Sequence, residues 1–255
     1  IRVGLLEKLD AGTELTEAEG SEWKKAQARV HDICKKAYET GVPVMIDAEE
    51  TWIQNTIDKL ALDMMRKFNK DKAIVYNTYQ LYRHDKLKSL KIDHKTAAAQ
   101  DFILGAKLVR GAYMEKERKR AAEMGYECLI QPDKQSTDRD YDAAVNFCIE
   151  NIRNVALLAG THNEQSCRFL ADLLNLKKIA HDHPNVYFSQ LLGMSDNLSF
   201  NLADAGYNVV KYVPYGPVKS VLPYLFRRAQ ENTAIAGQMS RELGLILTEK
   251  KRRGI

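Results

Sequence analysis

No run of about 18 apolar residues occurs in the chain, so no segment is long and apolar enough to cross a membrane as a helix. Cysteine is sparse. Cys34, Cys128, Cys148 and Cys167 are scattered, with no CxxC pair and no spacing that suits a metal. That pattern reads as packed, reduced thiols in a reducing compartment. No strand-like run is followed by GxGxxG, so the usual dinucleotide fingerprint is absent. Neither a low-complexity segment nor a repeat of roughly 20–50 residues stands out, and no interior linker divides the chain. Charge of one sign is also lacking. Thirty-eight Lys and Arg against 34 Asp and Glu leave +4, which does not by itself argue for nucleic acid. No signal peptide is visible, and the chain begins at Ile1 rather than Met, so upstream sequence is expected to be missing.

What remains is 255 residues, 45% of them hydrophobic, enough for one sizeable core. Residues 1–20 read as irregular. Thr16 and Glu19 have the spacing of a capping box, and a helix follows to about residue 39, ended by Gly41. After it, short apolar runs alternate with helical patterns. GVPVMIDAEE (41–50), AIVYNTYQ (73–80), GAKLVRGAY (105–113) and residues 155–159, 185–192 and 209–213 are the strand candidates. Continuous apolar runs of this length suit a parallel sheet buried on both faces. Residues 125–139 read as loop, with a helix over 141–151. A final helix runs from beyond Asn232 to about Lys251, ending in a basic Lys-Lys-Arg-Arg tail.

Strict alternation of strand and helix allows a doubly wound sheet or a (β/α)8 barrel. Two features favour the barrel. The fingerprint of the doubly wound fold is missing, and polar residues stand near the C-terminal end of every strand candidate: Asp47 with Glu49, Asn77 with Tyr79, Arg110 with Tyr113, Thr161 with His162, Gln190 and Tyr212. A barrel needs eight strands and six are visible. Such a chain would expose sheet edges.

Taken singly, these residues have plain explanations. Asp47 and Glu49 suit a helix N-terminus, and His162 suits a structural hydrogen bond. Lys107 has the chemistry of a Schiff-base nucleophile, although its neighbours do not demand it. His181, Asp182 and His183 precede Pro184 and read as a turn rather than metal ligands. In residues 209–232, VVKYVPYGPVKSVLPYLFRRAQEN, a helix would carry Tyr224, Arg227, Arg228 and Glu231 at i, i+3, i+4 and i+7, on one stripe. Paired guanidinium groups suit a small carboxylate held in one orientation, or simply a solvated basic face.

GVPVMIDAEETWIQ, VYNTYQLY, GAKLVRGAYMEKER, THNEQS, VYFSQLLGM and the 209–232 segment, in this order, resemble proline dehydrogenases of the single-function branch, from about Gly41 to the C-terminus. The resemblance implies a (β/α)8 TIM-like barrel lacking its first two strands in this chain. Residues 1–40 would lead into it, and 41–255 would form the FAD-binding barrel. It implies oxidation of L-proline, with electrons passed from FAD to a membrane quinone. The setting would be mitochondrial in a eukaryote, or cytoplasmic and peripheral to the inner membrane in a bacterium.

Residue by residue, the resemblance places Arg227 and Arg228 on the proline carboxylate and Tyr113, Leu191, Tyr212 and Tyr224 around the ring. Asp47 matches the family's active-site aspartate. Lys107 stands near flavin N5, and Asn77 near the flavin ring. Val109, Arg110, Gly111, Ala112, Thr161, His162, Asn163 and Glu231 fall on cofactor-contacting positions. Tyr212 would crowd a 4-hydroxyl group, which favours proline over hydroxyproline. A lysine that the family sets beside the substrate carboxylate lies in the missing strands. The alternatives are a hydroxyproline dehydrogenase, a lysine-dependent aldolase-type barrel, and a non-catalytic protein that binds acidic partners. No nucleic-acid partner and no metal are expected.

Overall fold

The computed structural model describes residues 1–219, 221–226 and 236–254. Two helices, α1 (Val3–Asp10) and α2 (Glu17–Thr40), precede the first strand. The expected capping box forms: Glu19 N–H donates to the Thr16 hydroxyl at 3.3 Å, and Thr16 N–H donates to the Glu19 carboxylate at 3.0 Å. Residues 1–20 are not irregular. Leu5 and Leu6 are buried, and Asp10 accepts from Thr56 N at 2.6 Å, so α1 is held by tertiary contacts that local periodicity does not register.

The remainder alternates: β1 (Val44–Ile46), α3 (Thr51–Phe68), β2 (Val75–Gln80), α4 (Lys86–Ala99), β3 (Leu104–Val109), α5 (Met114–Met124), α6 (Lys134–Glu150), β4 (Val155–Gly160), α7 (Glu164–Leu176), β5 (Val186–Leu191), α8 (Asp196–Asp204) and β6 (Val209–Tyr212). A last helix covers Ala236–Arg253. The expected loop over 125–139 is shorter than the sequence suggested. Asp133 accepts from Ser136 N at 2.7 Å and starts α6 at Lys134. Residues 129–131 pair with the turn after β2, through His84 N to Leu129 O and Gln131 N to Tyr82 O.

All six strands are parallel, and each pairs with its neighbour in sequence, in the order β1-β2-β3-β4-β5-β6. A doubly wound sheet reverses order at a switch point; this one does not. Right-handed crossovers without reversal put every helix on one face and roll the sheet toward a barrel, here a curled six-stranded part of one.

Strand parity divides the core accordingly. Val75, Tyr79, Leu104, Leu108, Leu157 and Phe188 face the helices in the larger core. Tyr76, Ala156 and Leu158, with Met45, Tyr187 and Val210, form the smaller inner cluster. Gly105 also lies on the inner side. A Cβ there would sit 2.2 Å from the Val75 carbonyl oxygen and 3.0 Å from the Tyr76 ring. Cys34, Cys148 and Cys167 are packed thiols in the helix-side core.

Candidate active site

Parity also decides which strand-tip residues converge. Just past β1 and on β3, Asp47 and Lys107 continue the inner-facing series of Met45 and Gly105. They meet across β2: Lys107 Nζ lies 2.5 Å from Asp47 Oδ1, with the lysine side chain 18% exposed and the aspartate 57%. This pairing engages the ammonium as a charge, whereas a Schiff-base lysine acts as a neutral amine. Asp47 and Glu49 do not cap α3. Its N-cap is Glu50, which makes no side-chain cap, and the Thr51 N–H donates instead to buried Glu117 at 2.8 Å. A carboxylate at that helix start also complements the helix dipole.

Tyr113 follows β3. Its hydroxyl donates to Glu49 Oε2 at 2.8 Å. Gly111, two residues earlier, has φ +131°, and a Cβ there would come within 2.4 Å of the Tyr82 ring. Only glycine fits this turn, which swings Ala112 and Tyr113 away from the strand direction. At the opposite side of the sheet, Leu191 pairs in register with Tyr212, and the Tyr212 and Tyr224 rings lie 5.8 Å apart at 56°. His162 Nδ1 is 3.0 Å from the Ser195 hydroxyl, which ties the tip of β4 to the turn after β5.

A family model described as proline dehydrogenase matches residues 2–241. The chain belongs to the proline dehydrogenase family.

Among its relatives, human proline dehydrogenase 1, mitochondrial, is 43% identical over 245 residues, 94% of this chain and 41% of the human protein. The Drosophila melanogaster protein of the same name is 41% identical over 235 residues, 88% of this chain and 34% of its own length. Hydroxyproline dehydrogenase of Xenopus laevis is 38% identical over 250 residues, 96% of this chain and 54% of that protein. The chain thus spans well under half the length of the human and fly relatives. Among solved structures, proline utilization A from Bdellovibrio bacteriovorus, inactivated by N-propargylglycine, superposes with a TM-score of 0.77 at 23% identity. It covers 84% of this chain and 22% of that one, a likeness of fold.

Against the positions that the family resemblance implies, Asp47, Lys107 and Tyr113 are gathered at one side of the strand tips, and Leu191, Tyr212 and Tyr224 at the other. Val109 shares the inner parity of Lys107. Thr161 and Asn163 lead into α7. The Asn163 side chain caps that helix by accepting from Ser166 N at 3.1 Å. Arg227, Arg228 and Glu231 lie outside the described residues.

Two positions turn toward the helices instead. Asn77 does not face the inner side of the sheet: its parity turns it toward α3, where its amide donates to Asp58 at 2.8 Å and its carbonyl oxygen is buried without a hydrogen-bond partner. Thr78 and Gln80 take the inner side of β2 instead. Arg110 likewise lies on the helix side. It reaches Asp138 and Thr161 at 2.6 Å and Ser166 at 3.0 Å, and its guanidinium is 4.4 Å from the Tyr141 ring centroid. It braces the β3 tip against α6 and α7, whatever else it touches.

Asn77 belongs to a buried polar network under β2. Gln54 and Asn77 both donate to Asp58, Lys86 Nζ lies 2.5 Å from the same carboxylate, and the Tyr79 hydroxyl donates to Asp93 at 2.8 Å. Burial, with Asp58 adding repulsion, pushes the Asp93 carboxyl up from 3.8 to about 6, against the opposing pull of the Tyr79 hydrogen bond and Lys86. Raising an acid's folded pKa destabilises its charged form. The cost is absent below the unfolded pKa and complete above the folded one, so stability falls as pH climbs from about 4 to 6. At full extent it is on the order of 2–3 kcal/mol. Asp93→Asn keeps an acceptor for Tyr79 and cannot ionise. Urea unfolding at pH 4 and pH 7 should show less loss of stability across that interval in the variant than in the parent.

Several residues here escaped the sequence reading. Gln80 donates to the Glu49 carbonyl at 2.7 Å, and Gln54 accepts from the Glu49 N–H at 2.7 Å. Lys211 Nζ bonds the Met194 carbonyl and Asp196, both at 2.8 Å, and fixes the turn after Leu191. A glutamine at the end of an otherwise apolar strand is a usable signal. The lysine carries none, because its role depends on a turn from another strand.

Proposed function

We propose that this chain forms part of the barrel of an enzyme that oxidises L-proline to Δ1-pyrroline-5-carboxylate, the first step of proline catabolism, with FAD as the immediate acceptor and a membrane quinone as the next. Family membership supports the reaction, and the Asp47–Lys107 pair at the inner strand tips carries the assignment of the site.

The residues present fit a flavin. An apolar inner floor of Tyr76, Leu158 and Tyr187 lies near a cationic Lys107, and the positive end of the α7 dipole, at the tip of β4, suits a diphosphate. When bound, FAD supplies the acceptor for the hydride that leaves proline C5. In this reading Lys107, held by Asp47, stabilises negative charge developing on the acceptor. Tyr113, Leu191, Tyr212 and Tyr224 wall the ring. Arg227 and Arg228 grip the carboxylate with paired donors and so supply orientation. Glu231, Gly111, Ala112, Val109, Thr161, His162 and Asn163 are assigned to the cofactor side. We further assign the protein to the membrane periphery, mitochondrial in a eukaryote, in line with the mitochondrial names of the human and fly relatives.

The test is spectroscopic. Purified full-length protein should carry a flavin absorption band that bleaches when proline is added without oxygen. A colourless protein that takes up no flavin overturns the reading. Because a relative at 38% identity is named hydroxyproline dehydrogenase, 4-hydroxyproline is the informative competitor. With Tyr212 against the ring, kcat/KM for proline should exceed that for trans-4-hydroxyproline by at least about tenfold, the scale of a 1.4 kcal/mol steric cost. Equal values would remove Tyr212 as the discriminating residue.

A further inference from the structure

Tyr113 comes from the turn after β3, and its phenol bonds a residue from a different strand's loop. That residue is Glu49, 64 positions away in sequence. Glu49 is bonded through both of its backbone groups. Its N–H donates to Gln54, which is fully buried, and its carbonyl accepts from Gln80, which is 2% exposed. Two buried amides from α3 and β2 therefore fix the origin of the Glu49 side chain. Gln54 is fixed in turn by Asp58, the carboxylate that also holds Asn77 and Lys86. On the other side, Gly111 packed against Tyr82 sets the start of the turn that carries Tyr113.

We propose that Glu49 is a positioning residue for the substrate pocket: its carboxylate holds the Tyr113 hydroxyl and so sets the angle at which that ring meets the substrate. This rests on the proline reading, in which Tyr113 walls the ring. The phenol donates its proton to Glu49, so what remains of the hydroxyl for a substrate is its oxygen lone pairs. A hydrogen bond to a charged acceptor is among the stronger ones, and losing it frees the ring to turn.

The experiment compares Glu49→Ala, Glu49→Gln, Tyr113→Phe and Glu49→Ala/Tyr113→Phe in the full-length protein. Flavin content, steady-state kinetics with proline and thermal midpoint are read for each. Glu49→Ala should raise KM about tenfold, with kcat within threefold and flavin content unchanged. Glu49→Gln retains an acceptor oxygen and should recover most of the loss. Tyr113→Phe should resemble Glu49→Ala, and the double variant should be no worse than either single one by more than about threefold, because both remove the same bond.

A KM for Glu49→Ala equal to the parent's, or penalties that multiply in the double variant, overturns the assignment. So does a loss in kcat and KM shared by all four variants together with a lowered thermal midpoint, which marks a purely structural role. A parent protein with neither flavin nor proline oxidation instead sinks the functional reading, and this assignment with it.

Discussion

Gly105→Ala should leave no folded protein. The added Cβ would lie 2.2 Å from the backbone oxygen of Val75 and 3.0 Å from both Tyr76 Cα and the Tyr76 ring. A side-chain clash can be relieved by a rotamer change, but a clash with a strand carbonyl cannot. The ladder between β2 and β3, an interior one of the sheet, would have to open. Tyr76 would have to leave the inner cluster as well, although it is 2% exposed and packs with Ala156 and Leu158. A loss above about 4 kcal/mol is expected, a large part of the stability of an ordinary domain. Soluble yield and thermal unfolding check it. Gly20→Ala is the control: it lies in α2 with nothing within 4 Å of the new Cβ, and should stabilise by up to about 1 kcal/mol. A Gly105→Ala protein that melts within a few degrees of the parent would refute this account of the β2–β3 contact.

On the proposed assignment, Lys107→Met should cut kcat for proline by roughly 10²–10³, the scale seen when one preorganised group opposite developing charge is removed. Methionine preserves the length and the packing of the stem, so folding should survive. Lys107→Arg keeps the charge and should retain most of the rate. Asp47→Asn leaves the ammonium in place but less firmly oriented, so its loss should be the smaller one. Stopped-flow reduction of the bound flavin by proline reads the hydride step directly. Equal reduction rates for the parent and Lys107→Met would take Lys107 out of the chemistry.

The barrel was legible because its signals are local. Each strand is a short apolar run, each run ends near polar residues, and strict alternation with no GxGxxG leaves few topologies. The sequence also shows which residues stand at strand tips. It says less about which way they face, because parity depends on the exact first residue of each strand, and the apolar runs give no alternation to count from. Asn77 is the instance. Placed by resemblance near the cofactor, it sits one residue out of phase with Thr78 and turns to Asp58 in the helix layer. The braces were the least legible part. Glu117 at the start of α3 and Lys211 under the β5 turn each reach a segment distant in sequence, and neither is marked by periodicity or a motif.

The ends of the sheet carry a consequence for self-association. Among the described residues β1 pairs only with β2 and β6 only with β5, so each keeps one side of its backbone unladdered. These two strands are also the shortest, three residues in β1 and four in β6. An incoming strand would find few rungs to copy at either margin, and brevity there is a recognised guard against runaway cross-chain pairing.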